Sequence, residues 1–316
     1  MTDNIELIEA IHVEQLYMTL LATIERLRAE IASDAILAEI EQPTEIGAFS
    51  VEALEAILAP HREPDAAYLD DGLGGFFAAV VALAAAAVGH SGSSRDSTML
   101  AERDLQLALM RTRFLADTAQ AVRGTIQRMR TGVGDMASRV RQVRRSIGLS
   151  PGQAASLDAA RQALFAYLAD PATAAPRAIL SRLSARLSGP QRAMLEKAMR
   201  PELDAARVEK LLSKHANSMA TYRARSTAQH QTHAFAEQGK LTAWRIAERF
   251  GILPRGQRRF WQTAGDERVR HSHAAVQGMN RAGVPLDKPF ATPLGECMTP
   301  PLEIGCRCKA MLRPSL

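Results

Sequence analysis

The sequence predicts a mainly α protein: a long-helix N-terminal body with a heptad-like segment, followed by a small α+β module at the C-terminal end. Three observations carry this. Only 5% of the 316 residues are aromatic and Ala, Leu, Arg and Glu recur, a mix that favours helix over strand. Apolar residues recur at helical spacing through most of the first 250 positions. Beyond Gly251 that periodicity lapses, and Pro and Gly become frequent. With 47% hydrophobic and 23% charged residues the balance is globular, and the length suffices for one large or two modest cores.

Three segments follow from the pattern: an acidic helical arm over 1–98, a helical body over 99–250, and an α+β tail module over 251–316. In the arm, residues 5–41 read as one helix. Leu16, Leu20, Ile24, Leu27 and Ile31 share a face, Glu14, Glu25, Glu30, Glu39 and Glu41 populate the rest, and Gln42-Pro43-Thr44 ends it. A short helix at 50–58 is closed by Pro60. Residues 72–89 carry no charge, which is just the length of a membrane span. Ala dominates there and drives insertion weakly, so a buried or partner-packed helix is the first reading and membrane contact the alternative. Ser91-Gly92-Ser93-Ser94 reads as a flexible joint.

The body opens with the most regular stretch, 99–149. Leu115, Ala119, Val122, Ile126, Met129, Val133, Met136, Val140, Val143 and Ile147 alternate steps of four and three, a heptad seam. Arg111, Arg113, Arg123, Arg128, Arg130, Arg139, Arg141, Arg144 and Arg145 form a basic face along it. Two readings stay open: self-association plus contact with phosphates or an acidic protein surface, or an intramolecular hairpin with solvated Arg. Gly132 and Gly134 each cost a helix about 1 kcal/mol relative to Ala, so a break is expected there. Ser150-Pro151-Gly152-Gln153 reads as a capped helix start. Helices then fill 151–168, 174–187, 190–199 and 203–250, and Gly251, Pro254 and Gly256 stop them. The tail is expected to hold strands at 258–263 and 304–313 and a short helix at 267–277.

Charge is segregated: residues 1–71 carry a net −13 and residues 72–316 a net +18. Such polarity points to an acidic arm, a basic body and a polyanionic neighbour. The first twenty residues lack a basic n-region, so no secretory signal is expected. No GxxxxGK[ST], GxGxxG or HExxH run occurs, leaving nucleotide-binding and zincin readings without support.

Candidate chemistry gathers in the tail. Cys297, Cys306 and Cys308 all lie in the last twenty residues, with His271 and His273 upstream. Three Cys and His273, with His271 as the alternate ligand, would complete a tetrahedral zinc site; a local disulfide and free structural thiols are the other readings. Asp266 is placed to cap the short helix, with Glu267 in its first turn and Arg268 or Arg270 pairing locally. Ser272 and His271 would diverge on a helix, so no catalytic residue is assigned. His230 and His233 share a helix face without a nearby acid or Cys, and Trp244 and Trp261 read as core anchors.

Taken together, Trp261, Thr263, Asp266, Glu267, Val269, Arg270, His273, Gly278 and Cys306-Arg307-Cys308 resemble the signature of the phage Mu F-like minor head proteins, the phage head morphogenesis family. The resemblance is strongest over 258–309. It implies a structural, non-enzymatic protein at the portal vertex inside the capsid, made in the host cytoplasm and kept in the virion. Its implied partners are the portal protein, a major capsid or scaffolding protein, and packaged DNA through non-specific charge, with membrane contact only if the protein is ejected. Two other readings are a metal-dependent nucleic-acid-acting enzyme built on the Asp266–His273 and Cys cluster, and a coiled-coil DNA-binding protein.

Overall fold

A computed structural model describes residues 2–41, 49–58, 73–87, 97–132, 134–170 and 204–313. The helices are α1 (Thr2–Glu30), α2 (Ser33–Glu41), α3 (Val51–Leu58), α4 (Leu73–Ala87), α5 (Ser97–Met129), α6 (Met136–Ser146), α7 (Pro151–Ala169) and α8 (Ala205–Arg249). The tail adds β1 (Arg258–Gln262), α9 (His271–Met279), β2 (Val284–Pro285), β3 (Phe290–Thr292), β4 (Gly295–Cys297) and β5 (Lys309–Arg313). The mainly α body and small antiparallel tail are therefore as expected. The helices placed at 174–187 and 190–199, the joint at 91–94, and the stops at 42–44 and Pro60 lie outside the described residues.

The chain forms two compact units, each assembled from separated stretches. One comprises Leu21–Arg62 and Arg111–Ala224. Here the single helix expected over 5–41 is interrupted at Ile31–Ala32, and Arg144 donates to the Ile31 carbonyl at 3.0 Å and to Ser33 Oγ at 2.9 Å. The heptad stretch leaves the helix after Met129, near Gly132 and Gly134, and restarts at α6, whose N-cap Asp135 accepts from Ser138 N–H at 2.6 Å. Leu115, Ala119, Val122, Ile126, Met129, Val143 and Ile147 of the seam are buried, Met136 and Val140 are half-buried, and Val133 lies outside the described residues. α6 packs on α2 and α7. α7 begins with the expected capping box: Ser150 accepts from Gln153 N–H, and the Gln153 side chain accepts from Ser150 N–H.

The other unit comprises Met1–Leu20, Glu63–Met110 and Arg225–Leu316. α4 buries Phe76, Phe77, Val80, Val81, Ala84 and Ala85, with Phe77 edge-on to Phe235 of α8 at 6.2 Å. Within the uncharged segment, Leu73–Ala87 is thus a packed helix of 15 residues, shorter than a span. By length and composition alone, Leu7–Glu30 is the stretch among the described residues that could cross a membrane.

In the tail, β2-β1-β5 form an antiparallel sheet with Trp261 opposite Ala310, and β3 and β4 form a hairpin. Alternation along β1 buries Arg259 and Trp261. The tail core joins Leu241 and Trp244 of α8 to Trp261, Val276, Leu286, Phe290, Cys306, Cys308 and Ala310. Both tryptophans are core anchors, with Trp261 edge-on to Phe290 at 5.3 Å.

Candidate functional site

α8 supplies a polar stripe on which β5 rests. His233, Glu237 and Lys240 are spaced four and three apart and so share a face. His233 Nε2 donates to the Cys308 carbonyl at 2.8 Å, Glu237 Oε2 accepts from Ala310 N–H at 2.8 Å, and Lys240 Nζ lies 2.5 Å from Glu237 Oε1. These side chains cover the outer backbone edge of β5, which would otherwise be open to pairing. The other ring nitrogen of His233 faces Glu9 at 3.1 Å.

That stripe fixes the chain carrying the two closing cysteines. Cys306 N–H donates to the Glu303 carbonyl at 2.9 Å, and Gly305 sits at φ +77°, a backbone shape other residues resist. The alternation of Cys306-Arg307-Cys308 then sends both thiols inward and leaves Arg307 exposed. Inside, His273, Cys306 and Cys308 bring their ligand atoms within 4.8 Å of one another, and all three residues are buried. His273 Nδ1 lies 3.6 Å from Cys308 Sγ, and its Nε2 lies 3.1 Å from Glu303 Oε2. The two thiols share a hydrogen bond. That bond is the main cause holding Cys306 down, to about 5, and pushing Cys308 up. The buried Trp261 indole N–H has no oxygen or nitrogen partner and favours a thiolate at Cys308.

Of the sequence candidates, His273, Cys306 and Cys308 come together and two do not. Cys297 turns its thiol to the Thr299 carbonyl at 2.9 Å, because it closes the β3–β4 hairpin. His271 is exposed in the first turn of α9. The helix itself starts at His271 and not at 267, so Asp266 caps no helix. Its carboxylate accepts from Arg268 N–H at 3.2 Å and pairs with Arg307 at 2.7 Å, and the Arg307 hydrogen bond holds it below the usual carboxylate range. Arg270 reaches the Ile304 carbonyl at 2.9 Å; Glu267, Arg268 and Gly278 are exposed and Thr263 half-buried. Three residues that sequence reasoning passed over matter here: Glu237, Glu303 and the fully buried Arg259. Glu303 sits three residues before Cys306, an acid beside a Cys-x-Cys run, and that proximity was the available signal.

The face read as basic is mixed. Arg113, Arg123 and Arg130 are exposed. Arg145 is buried, Arg128 pairs with Asp158 at 2.6 Å, and Arg141 lies 3.4 Å from Glu209. The side chain of Arg111 lies outside those described. Beside the thiols, Cys306, Arg307, Lys309 and Thr263 help line a cleft of 1140 Å³ with Glu9 of α1 and His233 of α8.

A sheet and short helix carried on the end of one long helix, closed around a His–Cys–Cys group, define a compact α+β tail module. Residues 188–311, which contain it, match the family described as Phage Mu protein F like protein. Over that stretch the chain is similar to this family. No curated protein and no solved structure matches the chain.

Proposed function

We propose that the protein is a minor head component that binds the portal vertex inside the capsid and assists head assembly and DNA packaging or ejection, without enzymatic activity. The observation that carries this is the family match over 188–311. Portal protein and a major capsid or scaffolding protein are the polypeptide partners, met in the host cytoplasm as heads assemble. Exposed Arg113, Arg123 and Arg130 add salt-dependent, sequence-independent affinity for packaged DNA. Self-association and, on ejection, membrane contact belong to the same reading. Within the tail, the His–Cys–Cys group holds a structural zinc: soft thiolates with an imidazole are the donor set that zinc prefers. The enzyme reading has less support, since Asp266 and His271 face outward and do not converge with His273.

The test is co-expression with the portal and capsid proteins of its own particle. Co-purification of the chain with portal protein in empty heads, and its loss when 251–316 is removed while particles still form, is the expected result. Heads that assemble and package normally without the chain would overturn the assignment, as would tight duplex-DNA binding at physiological salt by the chain alone.

A further inference from the structure

The His–Cys–Cys group holds three ligand atoms, whereas a closed structural zinc site needs four. The two nearest candidates for the fourth are both committed elsewhere. Cys297 donates its thiol to the Thr299 carbonyl and stands outside the group. Glu303 also stands outside it, with its carboxylate on His273 Nε2. That contact fixes the imidazole: a carboxylate accepts, so Nε2 carries the proton and Nδ1 presents its lone pair toward the thiols. A carboxylate behind a ligating imidazole is the usual outer support of a metal-bound histidine. Two further features fit a cation. Two thiolates cancel a divalent charge, which suits a buried site, and the buried Trp261, whose N–H has no oxygen or nitrogen partner, packs in the same core cluster as both cysteines. Cys306 is the ligand residue that also lines the 1140 Å³ cleft, which brings the cleft up to the edge of the buried group.

We propose that the tail binds one zinc ion through three ligands only, His273 Nδ1, Cys306 Sγ and Cys308 Sγ, with Glu303 as the positioning residue behind His273 and the fourth coordination place held by an exchangeable water from the cleft. This rests on the zinc reading above and specifies it: Cys297 is not a ligand, and the site is open at one place.

The experiment uses the full chain, purified under reducing conditions, loaded with zinc and dialysed, with cobalt(II) as the spectroscopic probe. About one zinc per chain is expected. Cys297→Ser keeps that stoichiometry and the cobalt–thiolate absorption of the parent. Glu303→Gln keeps the stoichiometry at saturation but weakens affinity about 10–100-fold. Imidazole added to the cobalt protein shifts its visible bands, because the open place accepts it. A parent chain that takes up neither zinc nor cobalt overturns the zinc reading together with this assignment. Loss of the metal in Cys297→Ser, or visible bands indifferent to imidazole, overturns the three-ligand site and leaves the zinc reading standing. A Cys306–Cys308 disulfide in protein isolated without reductant, persisting in the presence of zinc, overturns both.

Discussion

Arg145 and Glu209 face each other at 2.6 Å, with the arginine only 8% exposed. Glu209 also accepts from Ser138 Oγ. Burial alone would raise the Glu209 carboxyl; the Ser138 hydroxyl and the Arg145 charge outweigh it, and the net direction is downward. A carboxyl held below its unfolded value contributes stability that is present above that value and is lost as pH falls through it. Between about pH 5 and pH 3 the parent should therefore lose more stability than Glu209→Gln, read as the fall in urea midpoint. Parallel acid slopes for the two proteins would contradict this. At neutral pH, Glu209→Ala should cost about 3–5 kcal/mol, because Arg145 is left buried without its partner.

Glu237 is 2% exposed and ties α8 to β5 through Ala310 N–H while pairing with Lys240. Glu237→Ala removes both contacts and should cost about 3–5 kcal/mol. Glu237→Gln can still accept the Ala310 hydrogen bond and should cost about 1–2 kcal/mol. Thermal melts give the ranking. Proteolysis under native conditions should cut the Ala variant first within β5, whose edge is then uncovered. Equal melting of the two variants would mean that the edge contact contributes nothing.

What the sequence disclosed, and what it hid, follows from range. α7 was legible because its capping box lies within four residues, and α8 because nothing interrupts its helical pattern over 45 residues. The tail core was legible through Trp261 and the Cys-x-Cys run. The interruption at Ile31 was not, since no Pro or Gly marks it; the freed carbonyl is taken by Arg144, 113 positions away. The basic face failed in the same way. Composition records nine arginines, but the acids that pair with Arg128 and Arg145, Asp158 and Glu209, are distant in sequence. The metal group was half legible: residue types named His273, Cys306 and Cys308, whereas hairpin pairing, a tertiary matter, took Cys297 away.

Asp158 of α7 is 1% exposed and accepts from Thr125 Oγ1 at 3.1 Å, Arg128 Nε at 2.6 Å and Gln142 Nε2 at 2.7 Å. Three donors on two helices, α5 and α6, depend on one carboxylate. Asp158→Ala should cost about 3–5 kcal/mol. Arg128→Ala should cost about 1 kcal/mol, because its side chain is 36% exposed and water replaces part of the pair. Chemical denaturation of both variants and the double variant checks the order. A double variant that loses the sum of the two single costs would show that the two residues do not act through each other.

Arg259 gives the last prediction. It is fully buried in β1, its guanidinium lies 4.8 Å over the Phe290 ring, and it donates to the carbonyls of Met298, Pro285 and Lys288. Burial, with Arg245 nearby, lowers its pKa to about 10, so it stays charged at neutral pH. Three acceptors splayed around one planar fork suit arginine alone; an ammonium is a point donor on a narrower stem. Arg259→Lys should therefore cost about 2–4 kcal/mol despite keeping the charge. Arg259→Met, which keeps contact with Phe290 but donates nothing, should cost about as much, since it strands three part-buried carbonyls. Both changes should loosen the 285–298 loop and, through Phe290, the packing of Trp261, seen as weakened near-ultraviolet circular dichroism before global unfolding. If Arg259→Lys melts with the parent and keeps its aromatic signal, the loop is held by its apolar contacts and the guanidinium is dispensable.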